Sequence, residues 1–145
     1  MKILITGTNG QVGHALVVAL ARHEVISLNR QQCNLINLDG IERIIDSHQP
    51  DLIINPAAYT KVDQAEDEPE LAFKINADAP KLMAKKAREY HIPFIHFSTD
   101  FVFDGKKKGA YSESDSTNPL GVYGSSKLAG EEAIQDVGGQ AYIFR

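Results

Sequence analysis

KILITGTNGQVG, residues 2–13, decides the fold. A strand-like apolar run, Lys2–Thr6, leads straight into Gly7, Gly10 and Gly13, and a helical pattern opens behind them. That spacing lets the backbone turn tightly, approach a pyrophosphate with no Cβ in the way, and pack helix on strand. The N–H groups of the new helix then face the phosphate charge. A glycine pattern alone is a weak signal, and a ligand-free turn is its plain alternative. Here a strand precedes it and a helix follows, which is the context a dinucleotide site needs.

Outward from this turn, short apolar runs alternate with helical patterns, the signature of a parallel sheet with crossover helices. Further strands are expected at Glu24–Leu28, Leu52–Asn55, Pro93–Phe97 and Ala141–Phe144. Helices are expected over residues 10–22, from a cap at Asn37 or Asp39 to Ser47, over 71–90, and over 119–136. The runs ILI, LII and FIHF are continuous rather than alternating, so both faces of the sheet should be covered. Pro80 interrupts one helical pattern. Either Asn76 caps a new helix there, or a continuous helix kinks.

A chain of 145 residues is one ordinary domain with room for a sizeable core. No run approaches the roughly 20 apolar residues of a bilayer span, and the start reads as a strand, not a signal peptide. Cys33, the single cysteine, fits a reducing compartment, so the expected location is the cytoplasm. No Cys-His arrangement surrounds it, so it reads as a loop residue and not a nucleophile. A net charge of −4 argues against nucleic acid as a partner. Lys106-Lys107-Lys108 reads as a solvated turn more readily than as a phosphate patch, and the carboxylates of Asp63–Glu70 lack metal-ligand spacing. The five histidines show no metal spacing either, and His96 reads as a packed strand residue.

Cofactor choice turns on the end of the second strand. Many such folds place an acid there for the adenosine ribose hydroxyls; this chain has Asn29-Arg30. Arg30 can pair with a 2′-phosphate, which favours NADPH, while Asn29 leaves NADH open. Ser98-Thr99-Asp100 stands at the end of the fourth strand, where a hydroxyl can bind a carbonyl gaining negative charge. Tyr123 and Lys127 lie four residues apart, one turn along a helix face. The phenol would give the proton, and the ammonium would ease its ionisation and hold the nicotinamide ribose.

TGTNGQVG (6–13), NPAAYTKVDQAEDEPELAFKIN (55–76), FSTDFVFDG (97–105) and NPLGVYGSSKLAGE (118–131) resemble the motifs of extended short-chain dehydrogenase/reductases. More narrowly they resemble the dTDP-4-dehydrorhamnose reductase family. The resemblance implies a Rossmann fold and reduction of the C4 keto group of dTDP-4-dehydro-L-rhamnose with NADPH or NADH. It implies a triad of Thr99, Tyr123 and Lys127, with Thr99 and Asp100 near the sugar. Gly10, Gln11 and Val12 match the pyrophosphate turn, and Ala57, Ala58 and Tyr59 match the stretch along the cofactor. Asn34-Leu35 stands where relatives carry an acidic pair beside the adenine, and Gly121 stands where an asparagine is common.

Family members run to roughly twice this length. The chain therefore reads as an N-terminal half, a cofactor domain carrying the triad without the substrate-binding part, and little reductase activity is expected of it alone. Two alternatives stay open: another nucleotide-sugar reductase or epimerase, and a non-catalytic regulatory homologue. A homodimer also stays open.

Overall fold

The computed structural model describes residues 1–145. Five parallel strands form the sheet: β1 (Lys2–Thr6), β2 (Glu24–Leu28), β3 (Leu52–Asn55), β4 (Phe94–Phe97) and β5 (Ala141–Phe144). Their order is β2-β1-β3-β4-β5. The order reverses between β1 and β3, and open α/β sheets bind ligands at the carboxyl ends of strands at that point. The crossovers carry α1 (Gln11–Ala19), α2 (Leu38–His48), α3 (Val62–Ala65), α4 (Pro69–Phe73), α5 (Ala79–Glu89) and α6 (Val122–Val137).

Both faces of the sheet are covered, as continuous apolar strands require. Leu4, Ile53 and Phe94 pack with Ile41 and Ile45 of α2, Met83 and Ala87 of α5, and Ile134 of α6. The intervening Ile3, Ile5 and Ile54 face the other way, against Leu16 and Val17 of α1 and Leu20 just past its end. Helices on both faces of an all-parallel sheet make this a Rossmann-type doubly wound fold. No helix is long and apolar enough to cross a membrane.

Element ends follow local chemistry. Asn37 caps α2, its side-chain oxygen accepting from the Gly40 amide at 3.0 Å. Helix α1 spans 11–19 rather than 10–22, and β4 starts at Phe94 rather than Pro93. Pro80 neither follows a new cap nor kinks a regular helix. A π-helical turn, Lys74–Asp78, joins α4 to α5, and Pro80 falls in the first turn of α5. Its missing N–H costs little at that position. Asn76 is not a cap; it sits inside the π turn, fully buried, with its side chain directed at other elements.

Candidate active site

The glycine turn joins β1 to α1 and is built by leaving side chains out. Gly7 adopts φ +60°, and a Cβ there would stand 2.8 Å from Ala57 Cβ. A Cβ on Gly13 would run into the Gly7 carbonyl oxygen. The Gly10 position is roomier: it is extended (φ −81°, ψ 166°), and a Cβ would lie 3.3 Å from the Gly7 oxygen. Gly10 offers no side-chain cap, the first turn of α1 holds no acid, and the amides of Gln11, Val12 and Gly13 meet no protein acceptor. Free donors at a helix start with a bare glycine approach suit a pyrophosphate.

A groove of about 480 Å³ opens beside this turn. Its walls include Gly7, Gly10, Arg30, Asn34, Leu35, Ala57, Ala58 and Tyr59. These are eight of the residues that the sequence assigns to the cofactor. Arg30 takes part in none of the ion pairs of the chain. Asn29 lies outside the walls, and its side-chain oxygen accepts from the Gln31 and Gln32 amides at 2.9 and 3.1 Å. That oxygen is committed to its own turn. Asn34 likewise accepts from the Ile36 amide at 3.2 Å. Cys33 lines the groove from a buried position, and burial pushes its thiol up to about 11, which makes it a poor nucleophile.

Thr99, Asp100, Tyr123 and Lys127 stand outside the groove walls, at the end of β4 and on α6. Two tyrosines flank the region, and their hydroxyls differ. Tyr59 donates to Glu68 Oε2 at 2.5 Å, and burial together with that carboxylate raises its phenol to about 12. The Tyr123 hydroxyl makes no hydrogen bond to the protein, and its ring meets Phe101 edge to face at 5.5 Å between centroids. Of the two, Tyr123 is the phenol free to serve a ligand. Thr99 Oγ1 accepts from the Phe101 amide at 3.2 Å and donates to Asp100 Oδ1 at 3.3 Å. Ser98 is committed elsewhere, since its hydroxyl donates to the buried Glu131.

Lys127 is 1% exposed. Its Nζ donates to the Phe97 carbonyl at 2.6 Å and lies 3.3 Å from His96 Nε2. No hydrogen bond joins it to the Tyr123 hydroxyl one turn away. Burial lowers the ammonium to about 8, against the pull of Glu131 a turn further on. Glu131 is itself held by Arg145, with Nε at 3.1 Å from each carboxylate oxygen and the terminal nitrogen at 2.6 Å from Oε2. At neutral pH a positive charge therefore sits behind Tyr123.

Asn76, Gly130 and Glu66 position α6, a role that no local sequence signal marks. Asn76 accepts from the Tyr59 amide at 2.8 Å and donates to the Tyr59 carbonyl and to Ser126 Oγ at 3.2 and 3.0 Å. It ties the groove wall to the helix of Tyr123. Gly130 lets α6 come this close, because a Cβ there would strike the Asn76 carbonyl oxygen. Glu66 and Glu68, read as solvated, both have partners: Glu68 holds Tyr59, and Glu66 Oε1 accepts the Val122 amide at 2.7 Å. Helix α6 starts at Val122, not near Pro119, and Glu66 caps it from 56 residues away. Gly121 belongs with that cap, since a Cβ on it would come within 2.7 Å of Glu66 Oε1. No group of three or more His, Cys, Asp or Glu side chains is placed to hold a metal.

Comparison with known proteins places this geometry in a family. A dTDP-4-dehydrorhamnose reductase of Escherichia coli is 43% identical over 150 residues, covering all of this chain and 50% of the relative. The chain spans about half the length of the curated relatives it matches. A crystal structure of the reductase from Bacillus anthracis, in complex with NADP, superposes with a TM-score of 0.93 at 33% identity, covering 98% of this chain and 51% of that one. A UDP-glucose 4-epimerase from Thermus thermophilus shares the fold, with a TM-score of 0.88 at 23% identity over all of this chain and 54% of its own. The family described as the RmlD substrate binding domain matches residues 1–145, and the chain belongs to it.

Proposed function

We propose that this chain is the cofactor-binding and proton-donating half of an NADPH-dependent reductase acting on the C4 keto group of dTDP-4-dehydro-L-rhamnose. The observation that carries the reading is the free Tyr123 phenol one helical turn from the buried Lys127 ammonium, beside a bare glycine turn. The similar reductases, one of them in complex with NADP, supply the substrate and cofactor class.

The nicotinamide, when bound, supplies the hydride that adds to the keto carbon. The work of the chain is the rest. The α1 amides and Gly10 would receive the pyrophosphate and Arg30 a 2′-phosphate, while the Asn29 oxygen, bonded within its own turn, leaves a ribose hydroxyl no free acceptor there. Thr99 donates its hydroxyl to the substrate carbonyl as charge grows on the oxygen. Tyr123 gives its phenolic proton to that oxygen, completing the alcohol, and the Lys127 charge stabilises the phenolate left behind. Asp100, exposed at the same strand end, would be available to the sugar.

The chain alone is expected to show little or no turnover, so the test joins it to a complete partner half. A chimera carrying residues 1–145 in place of the matching half of the Escherichia coli relative should reduce dTDP-4-dehydro-L-rhamnose and consume NADPH. Tyr123→Phe in that chimera should lower kcat by about 10²–10⁴ with little change in NADPH affinity. A folded chimera that binds NADPH and turns over without Tyr123 contradicts the assignment. Measurable turnover by the 145-residue chain itself would contradict its insufficiency.

A further inference from the structure

The proton transfer just described leaves three buried polar side chains unused, and they lie in one row with Lys127 across the sheet. Thr6 ends β1, Asn55 ends β3, His96 lies in β4 and Lys127 reaches in from α6; each is 1% exposed or less. Strand register builds the row, because Asn55 and His96 are cross-strand partners. Thr6 Oγ1 and Asn55 Oδ1 are 2.5 Å apart, Asn55 Nδ2 and His96 Nδ1 3.1 Å, and His96 Nε2 and Lys127 Nζ 3.3 Å. The row has no break.

Donor and acceptor counting gives the row a direction. A neutral imidazole has one donor and one acceptor nitrogen, whereas an ammonium only donates. Opposite the Lys127 ammonium, His96 Nε2 has to accept, so Nδ1 carries the hydrogen. Nδ1–H then needs an acceptor, and the Asn55 carboxamide supplies one when its oxygen faces the ring and its NH₂ faces Thr6 Oγ1. Those two ends have nearly the same shape, so turning the amide asks only that the 2.5 Å contact to Thr6 lengthen by a few tenths of an ångström into N–H···O range. Burial holds His96 neutral, in keeping with this count. The charged groups facing Lys127 are few: Glu131 one turn along α6, and Arg145 clamped on Glu131.

We propose that His96 is a positioning residue for Lys127, locked by Asn55 and Thr6 in the Nδ1–H tautomer so that Nε2 holds the ammonium at the end of β4. The Phe97 carbonyl takes a second hydrogen of Nζ, and the third is uncommitted. The geometry of the row stands alone; its bearing on catalysis rests on the reductase reading.

The decisive measurement is a long-range proton–nitrogen NMR correlation of the His96 ring in the ¹⁵N-labelled chain near pH 7. A protonated Nδ1 beside an unprotonated Nε2 is expected, and an Nε2–H tautomer overturns the proposal. Titration of Lys127 through its side-chain carbon signals adds a second readout. His96→Phe removes the acceptor and should lower the proton affinity of Lys127 about tenfold, about one pH unit, while His96→Gln restores an acceptor and most of the loss. A merely structural role would lower stability in both variants without separating their Lys127 titrations, and an unchanged titration in His96→Phe contradicts the proposal. Should that variant not fold, the wild-type tautomer still decides. NADPH titration of the same samples separates the two claims, because failure to bind nucleotide would sink the reductase reading and leave the tautomer result intact.

Discussion

The two ends of the site are made by opposite means. At the glycine turn, function comes from absence: no Cβ at three positions, no cap on α1, and backbone amides left open. At the α6 end it comes from saturation, with Asn76, Ser126, Lys127 and Glu131 all buried and each bonded to a partner on another element. No buried side-chain nitrogen or oxygen in the chain lacks a partner. The first region should tolerate no added atoms, and the second no removed ones. A region that must admit a ligand keeps its donors unpaired, while a region that must aim one phenol pairs every group around it.

Four perturbations probe that contrast. The largest effect should come from acid. His96 is held neutral in the folded chain, with its proton affinity lowered from 6.5 to about 3 by burial and the neighbouring Lys127 charge. Between those values the unfolded chain binds the proton and the folded chain does not, so stability falls as pH drops from about 6.5 toward 3. The full loss is on the order of 5 kcal/mol. Urea midpoints of the wild type and His96→Gln across this window should differ in slope, the variant losing less; parallel curves would mean that His96 does not titrate with unfolding.

Next in size, Gly13→Val sets a side chain against the Gly7 carbonyl and should cost about 3 kcal/mol in urea unfolding. Gly10→Val, at an extended and roomier position, should stay within about 0.5 kcal/mol of wild type. Equal losses in both would erase the distinction between a glycine needed for packing and one needed for ligand approach. At the saturated end, Asn76→Ala strips partners from the Tyr59 backbone and Ser126 and should cost about 2 kcal/mol. A near-neutral result would show that the saturation is incidental.

The smallest effect tests the borrowed cap. Glu66→Ala leaves the Val122 amide without its acceptor and should cost about 1 kcal/mol. Gly121→Asn should also destabilise, because its Cβ meets Glu66. The double variant should recover stability, as the asparagine becomes a local cap in the space that Glu66 vacates. Additive losses in this cycle would remove Glu66 from the account.

Much of this was legible in the chain. The bounds of β1, β2, β3 and β5 follow from unbroken apolar runs closed by glycine, proline or polar residues, and those are local signals. Gly7 and Gly10 of the turn, Arg30, Asn34 and the Ala57–Tyr59 stretch also came together, because strand ends converge wherever a parallel sheet forms. What escaped was pairing at long range. Glu66 looks like any exposed acid until α6 delivers the Val122 amide to it, and Asn76 looks like a cap until Tyr59 and Ser126 arrive. Periodicity reports which face of an element is buried, not which distant backbone group its polar side chains will meet. Lys127 illustrates both sides: its spacing from Tyr123 marked it, yet nothing local revealed that its ammonium points to the Phe97 carbonyl and His96.

The most direct test of the account is calorimetric titration of NADPH and NADH into the 145-residue chain, beside Gly10→Val. The wild type should bind, with NADPH ahead of NADH, and the valine should abolish binding while circular dichroism and urea midpoint stay native. A natively folded wild type that binds neither nucleotide, or a Gly10→Val chain that binds as well as wild type, would contradict this.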